Sequence, residues 1–525
     1  MAIIVCPQPQ AAEIGLDVLR RGGNAVDAAV TCAFVQGVID PQMCGLGGCG
    51  VMLVHSPQGG DVLLEFYGTA GSRAREDQWS RLFVREAADR YGYVLEGWVN
   101  DVGYESVCVP GTVAGLAEAL SRFGTISWAE AIEPAVPIAR HGFPVSGFVH
   151  GYWVTDYGPD VVPNRERIQT TPAARAIYTK DGRLYEIGEV MVQADLARTL
   201  ETLASEGPDV FYRGAIAEAI ASDFAANGGL ITKDDLSSYR VNVTEPIRGT
   251  YRGLQVAAAG PPAGGLTLLQ MLNFLEGYDV GAHAWPSTEA ARLRVEAMAW
   301  AVADRERHVA DPRFVDIPVG ALADKEYAAR ARESVHDRAD TTHVCVVDDA
   351  GWAVSLTHTL GSASGVVTPG LGFGYNDYMN CFDPRPGRPN SVRPGKTRVT
   401  MMTPALVFDA DRNLRVCIGA PGGTKIVTGI MQVVVNILDH GMSPVEAVSA
   451  PRVDFQGDTV QAEGRIPRVV CEGLERLGYA VNRRTLSYDS YFARPQVIAA
   501  GRDGSLSGAS DPRKDGGAAF DTVTR

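Results

Sequence analysis

A chain of 525 residues exceeds what one ordinary hydrophobic core serves, implying two or more structural units or one large interwoven one. Hydrophobic residues at 46% and charged residues at 21% fit a soluble globular protein, while a net charge of −14 without any Lys/Arg run argues against nucleic acid or anionic membranes as partners. The nine cysteines form neither a paired CxxC zinc site nor a disulfide framework, so reduced, largely buried thiols are expected.

The start of the chain, Met1-Ala-Ile-Ile-Val-Cys6, is too short for the apolar region of a signal peptide and lacks a basic flank. No apolar stretch reaches the roughly 18 residues of a membrane span. A cytoplasmic location is therefore expected. Pro9 to Arg21 reads as a helix with Ala11, Ile14, Leu16 and Leu19 on one side, ended by Gly22-Gly23. Asn24 then caps a helix from Ala25 to Val38 that is apolar on nearly all sides, which places it in the interior.

A glycine cluster, Gly45 to Gly50, follows and leads into the strand Val51–His55. Its spacing matches G-x-G-x-x-G, but a helix precedes it and a strand follows, the reverse of a dinucleotide site. A tight backbone crossing is the better reading. From about Pro110 to Val335 the pattern is mainly helical. The segment 331–340 is charged and loses its helical signal, as an exposed cleavage junction would. Strand signals dominate from Thr341 onward, notably Ala405–Phe408, Leu414–Gly419 and 496–499. Gly361 to Gly365 resembles a nucleophile elbow only loosely, because Ala363 stands where serine is needed.

Two β-type runs, from Thr341 and from Ala353, flank the turn Asp348-Asp349-Ala350-Gly351 and form a hairpin. Pairing Val347 with Trp352 puts Thr341 opposite His358, or opposite Thr359 with one bulge. Two threonine hydroxyls at the open end of a hairpin suit a chain that cuts itself before Thr341. The freed α-amine titrates near neutrality on the same residue, so it can take the hydroxyl proton. A plain threonine-rich hairpin is the bland alternative, since threonine favours strands.

Several further motifs occur in one order along the chain. They are Gly22-Gly-Asn-Ala-Val-Asp-Ala-Ala29 with Pro41-Gln42, Val109-Pro-Gly-Thr-Val-Ala-Gly115, Asn227-Gly-Gly-Leu-Ile-Thr232, Asp340-Thr-Thr-His343, Ala420-Pro-Gly-Gly423 and Gly508-Ala-Ser-Asp-Pro-Arg513. With them the chain resembles the γ-glutamyltransferase family over almost its whole length. The resemblance implies an N-terminal-nucleophile hydrolase fold of class α+β, a four-layer αββα sandwich built from two fragments of a self-cleaved precursor. Residues 1–340 would be the large, mainly helical fragment and 341–525 the small, strand-rich one. It further implies cleavage between Asp340 and Thr341, Thr341 as nucleophile, Thr359 as the threonine bonded to it, and Gly422 and Gly423 as oxyanion-binding N–H groups. Such N–H dipoles are worth roughly 3 kcal/mol each, and glycine permits the close approach.

The substrate-binding positions depart from the family. Tyr67 stands where an arginine grips the glutamyl α-carboxylate. Tyr378 and Cys381 replace the Gln and Asp of the donor's amino end, Gly361 replaces an Asn, and Thr400-Met401 replaces a Ser-Ser pair. A phenol recognises a carboxylate less well than a bidentate guanidinium does. Losing both the cation and the anion should cost a zwitterionic head group several kcal/mol. The replacements suit a less charged acyl group, and a short segment between Asp383 and Lys396 suggests a more open site. Whether Arg73 substitutes for the missing arginine is left open. The expectation is an amide hydrolase or acyltransferase acting through an acyl–threonine on a small amide other than γ-glutamyl, without metal or cofactor. Its two fragments would form a heterodimer, with further dimerisation undecided. The alternatives are a true γ-glutamyl hydrolase or transpeptidase on glutathione-like donors, and an unprocessed, non-catalytic relative.

Overall fold

Two antiparallel sheets face each other at the centre, and their strands bury both surfaces. The computed structural model describes residues 1–87, 92–156, 158–331, 343–501 and 503–521. Asp340, Thr341 and most of the expected junction lie outside the described residues. The seven-stranded sheet runs, in spatial order, Asn242–Thr244, Gly60–Phe66, Cys49–Ser56, Ala353–Thr359, His343–Val347, Ile3–Cys6 and Gly517–Phe520. The six-stranded sheet runs Ile247–Tyr251, Leu254–Ala258, Ala405–Phe408, Leu414–Gly419, Gln496–Ala500 and Leu506–Ser510.

Side-chain alternation explains why the central strands read as unbroken apolar runs. Ile3, Val5, Cys345 and Val347 point between the sheets to meet Leu406, Phe408, Cys417 and Ile498. Ile4, Cys6, Val344 and Val346 point the other way, into a core completed by helices. The chief of these is Ala25–Ile39, buried along its length apart from half-buried Gly37. Asn24 caps it as expected: its side chain accepts from the N–H groups of Val26 and Asp27 at 2.9 and 3.1 Å, and Asp27 accepts from the N–H of Asn24 at 2.8 Å. Helices Gly265–Glu276, Thr288–His308 and Lys425–Leu438 enclose the outer face of the second sheet.

Three features differ from expectation. The hairpin register is shifted by one: Val347 pairs with Ala353, and His343 with Thr357. The Asp348 carboxylate causes this by accepting from the N–H groups of Ala350 and Trp352, both at 3.0 Å, which draws Trp352 into the turn. The middle of the chain contributes strands as well as helices. Asn242–Thr244 and Ile247–Tyr251 are edge strands of the two sheets, short and partly polar, so their pattern is weak. Finally, the strand-rich tail also contains the 14-residue helix Lys425–Leu438.

The glycine cluster is a backbone crossing. A Cβ on Gly47, Gly48 or Gly50 would collide with the carbonyl oxygen of Gly374, Thr359 or Thr357 respectively. None of the nine cysteines forms a disulfide, and Cys381 alone is not fully buried. Among the described residues, no helix is long and apolar enough to cross a membrane.

Candidate active site

Thr359 ends its strand, is 1% exposed, and its Oγ1 accepts the Gly361 N–H at 2.8 Å. The glycine cluster wraps around it: Thr359 pairs with Cys49, and the next residue, Leu360, donates its N–H to the Met43 carbonyl at 2.9 Å. His343 joins this strand to the facing sheet. Its ring lies against Gly419, where any Cβ would collide with it, and bonds to Thr357 Oγ1 at 2.8 Å and Ser355 Oγ at 3.2 Å. Burial, reinforced by His358, lowers its pKa to about 3. His343 is therefore neutral at physiological pH and serves as a hydrogen-bonding spacer between the sheets.

Past Gly419 the chain turns through Gly422 and Gly423, with φ of 147° and 63°, conformations that favour glycine. The turn leads into helix Lys425–Leu438, whose amino end points toward the turn and adds a positive dipole. Backbone N–H groups held in such a turn are suited to receive a developing negative charge. The hairpin end and this glycine turn thus lie at the same end of the two facing sheets.

A cavity of about 320 Å³ is lined by Cys381 and Met401 among the expected binding positions. Tyr67 lines a separate cleft of about 50 Å³ with Glu65, Asp311 and Arg313. Burial raises the Tyr67 hydroxyl pKa, and that hydroxyl has no hydrogen-bond partner among the described residues. Tyr67 and Tyr378 share an apolar cluster with Cys49, Cys108 and Met402. Thr400 is buried and donates its N–H to the Pro262 carbonyl at 2.9 Å. Arg73 does not line the cavity; it is exposed and reaches toward the Gly229 carbonyl.

Sequence reasoning missed the arginines of this cavity. Arg398 is 3% exposed, and its guanidinium lies 3.9 Å from the centroid of the Tyr378 ring. Arg305, 6% exposed, comes from helix Thr288–His308 and donates to the Met401 sulfur at 2.9 Å. Arg385 also lines the cavity but is tied to Asp383 and Glu86, each at 2.8 Å. The lining therefore carries charges of both signs, Arg305, Arg385, Arg388 and Arg398 with Glu86, Glu306 and Asp383, and is not the neutral pocket that the replaced positions implied. The Asp383–Lys396 segment forms one wall, tied to itself by Lys396 Nζ donating to the Pro389 and Ser391 carbonyls at 2.6 and 3.0 Å.

Facing sheets with a threonine-bearing hairpin beside a glycine turn define an enzyme of the N-terminal-nucleophile type. Residues 11–521 match the model of the gamma-glutamyltranspeptidase family, and the chain belongs to that family. It is 38% identical to the Acylase ACY 1 proenzyme of Pseudomonas sp. (strain V22), over 98% of this chain and 92% of that protein. It is 35% identical to the glutathione hydrolase proenzyme of Escherichia coli (strain K12), over 96% of this chain and 89% of that one. Among solved structures, the cephalosporin acylase from Bacillus halodurans superposes with a TM-score of 0.88 at 29% identity, covering 99% of this chain and 95% of that one.

Proposed function

We propose that this protein is a self-processing amide acylase that releases a carboxylate-bearing acyl group other than γ-glutamyl. The facing sheets with helices outside them are read as the αββα sandwich of this class. Cleavage between Asp340 and Thr341 would give fragments 1–340 and 341–525 and free the α-amine of Thr341. The described register ends at the His343–Thr357 pair, and the placing of Thr341 beside Thr359 is what the family resemblance implies. The α-amine takes the Thr341 hydroxyl proton, and Oγ1 attacks the amide carbonyl. The Thr359 hydroxyl steadies that oxygen. The oxyanion is received by the N–H groups of Gly422 and Gly423, the amine leaves with a proton, and water hydrolyses the ester.

The observation that carries the acyl assignment is the relocated cation. Tyr67 cannot grip a carboxylate as a guanidinium does, yet Arg398 lines the cavity beside Met401. Cys381 stands at the position where the family resemblance places an Asp that holds the donor's ammonium. An acyl chain with an anionic end and no α-ammonium fits this pairing. The proenzyme and acylase names of the relatives support the reading. Likeness to glutathione hydrolases keeps γ-glutamyl transfer as the second reading.

Denaturing electrophoresis tests processing: fragments of 340 and 185 residues are expected, and Thr341→Ala should give one uncut, inactive chain. A single uncut band from the unmodified chain would favour a non-catalytic relative. Glutaryl, butyryl and γ-glutamyl p-nitroanilides test the acyl group, with the glutaryl compound expected to be turned over best. Preferred turnover of the γ-glutamyl compound would reverse the assignment.

A further inference from the structure

The turn Pro421–Gly423 contributes no charged side chain of its own, so its shape must be set by what lies behind it. That backing is the segment Ala493–Pro495. A Cβ on Gly422 would overlap Ala493, and the Ala493 methyl also fills the space above Gly429 on helix Lys425–Leu438. The Arg494 N–H donates to the Pro421 carbonyl at 2.8 Å.

Four backbone polar groups of this backing segment are tied. Arg452 Nη1 donates to the Ala493 carbonyl. Gln496 Nε2 donates to the Arg494 carbonyl at 2.9 Å, and the Asp511 N–H donates to the Pro495 carbonyl at 3.2 Å. The fourth is the Arg494 N–H on Pro421. Arg452 is itself held by Asp511 at 2.5 Å and by the Val448 carbonyl at 2.9 Å. Asp511 therefore anchors both Arg452 and the far end of the segment. Arg513 completes the lattice through Glu463, with two contacts of 2.7 Å, and through Asp511 at 3.0 Å. All four charged groups are almost fully buried. This gives a role to the Asp511-Pro-Arg513 motif, which the chemistry above leaves unused.

Buried ion lattices of this kind add little net stability compared with apolar packing, but they fix geometry. We propose that Arg452, held by Asp511, is a positioning residue that aims the Gly422 and Gly423 N–H groups through Ala493 and Arg494. The inference rests on the oxyanion role assigned to those glycines. An oxyanion contact acts in the transition state and not in the ground state, so its misalignment lowers kcat and leaves KM nearly unchanged.

The test uses Arg452→Lys and Arg452→Met in the self-cleaved protein, with the best-hydrolysed anilide and an alkyl boronate matching its acyl chain. The nucleophile's oxygen adds to that boron, giving a tetrahedral anion. Expected are a fall in kcat of about 30- to 100-fold, KM within about threefold, and boronate affinity falling in parallel with kcat/KM. Asp511→Asn and Gln496→Met carry the same, smaller expectation if neither Arg452 variant folds and self-cleaves. Unchanged kcat, or boronate affinity that stays constant while kcat falls, overturns the proposal. Gly422→Ala separates the two layers. If it loses kcat while the clamp variants do not, the positioning role alone fails. If it retains full kcat, the oxyanion reading fails and takes the clamp with it.

Discussion

The two walls of the site are built differently. The glycine turn is backbone, fixed in unusual φ values and tied by its neighbours through short, buried bonds. The acyl wall is made of side chains that converge from distant segments: Arg305 from one helix, Cys381 from a short helical turn, and Arg398 and Met401 from a loop. A wall that must meet a developing charge tolerates few geometries. A wall that recognises a substrate can change side chain by side chain while the first stays intact. On the proposed reading, this chain keeps the residues of the first wall and rewrites the second.

The comparison breaks most visibly at Gly422. Its φ of 147° and the overlap with Ala493 mean that Gly422→Ala must move the turn. A loss in kcat of about 10²- to 10³-fold is expected, read from steady-state kinetics. The second wall is tested by Arg398→Met. It should lower kcat/KM for a carboxylate-bearing anilide by about 10- to 100-fold while leaving a neutral acyl anilide within about threefold. Equal losses on both substrates would mean that Arg398 supports the fold and not recognition.

The smallest effect, read per pH unit, concerns the bridge between the sheets. His343 has its folded-state pKa depressed to about 3, whereas the unfolded chain takes up that proton near the ordinary histidine value. The unfolded state thus binds more protons from about pH 6.5 down to about pH 3. Stability from this group is present above that window and falls as pH drops through it, by up to about 1.4 kcal/mol per pH unit. Denaturant unfolding of the wild type against His343→Gln at several pH values isolates the term. Parallel curves would show that His343 takes up its proton alike in the folded and the unfolded chain.

The legibility of the sequence followed the same division. Asn24 as a cap, the apolar helix behind it, and the crossing at Gly45–Gly50 could be read because each depends on local backbone rules. The strands Ala405–Phe408 and Leu414–Gly419 could be read because they are buried. The hairpin register slipped by one because an aspartate side chain, not turn length, closes that turn. Arg398 and Arg305 stand 93 positions apart, on a loop and on a helix without a marked apolar stripe, and nothing local shows that they share a cavity. The Arg452–Asp511 contact is likewise long-range, although its DPR motif could be seen.

The order of strands in the larger sheet has one more consequence. Ile3–Cys6 lies between His343–Val347 and Gly517–Phe520, while Cys49–Ser56 is laced to Ala353–Thr359. In the other sheet Leu254–Ala258 is laced to Ala405–Phe408. A scission before residue 341 would therefore sever the covalent thread without giving either piece a complete sheet to depart with. Nicked protein should travel as one particle until it is denatured, its halves joined like the fingers of two clasped hands.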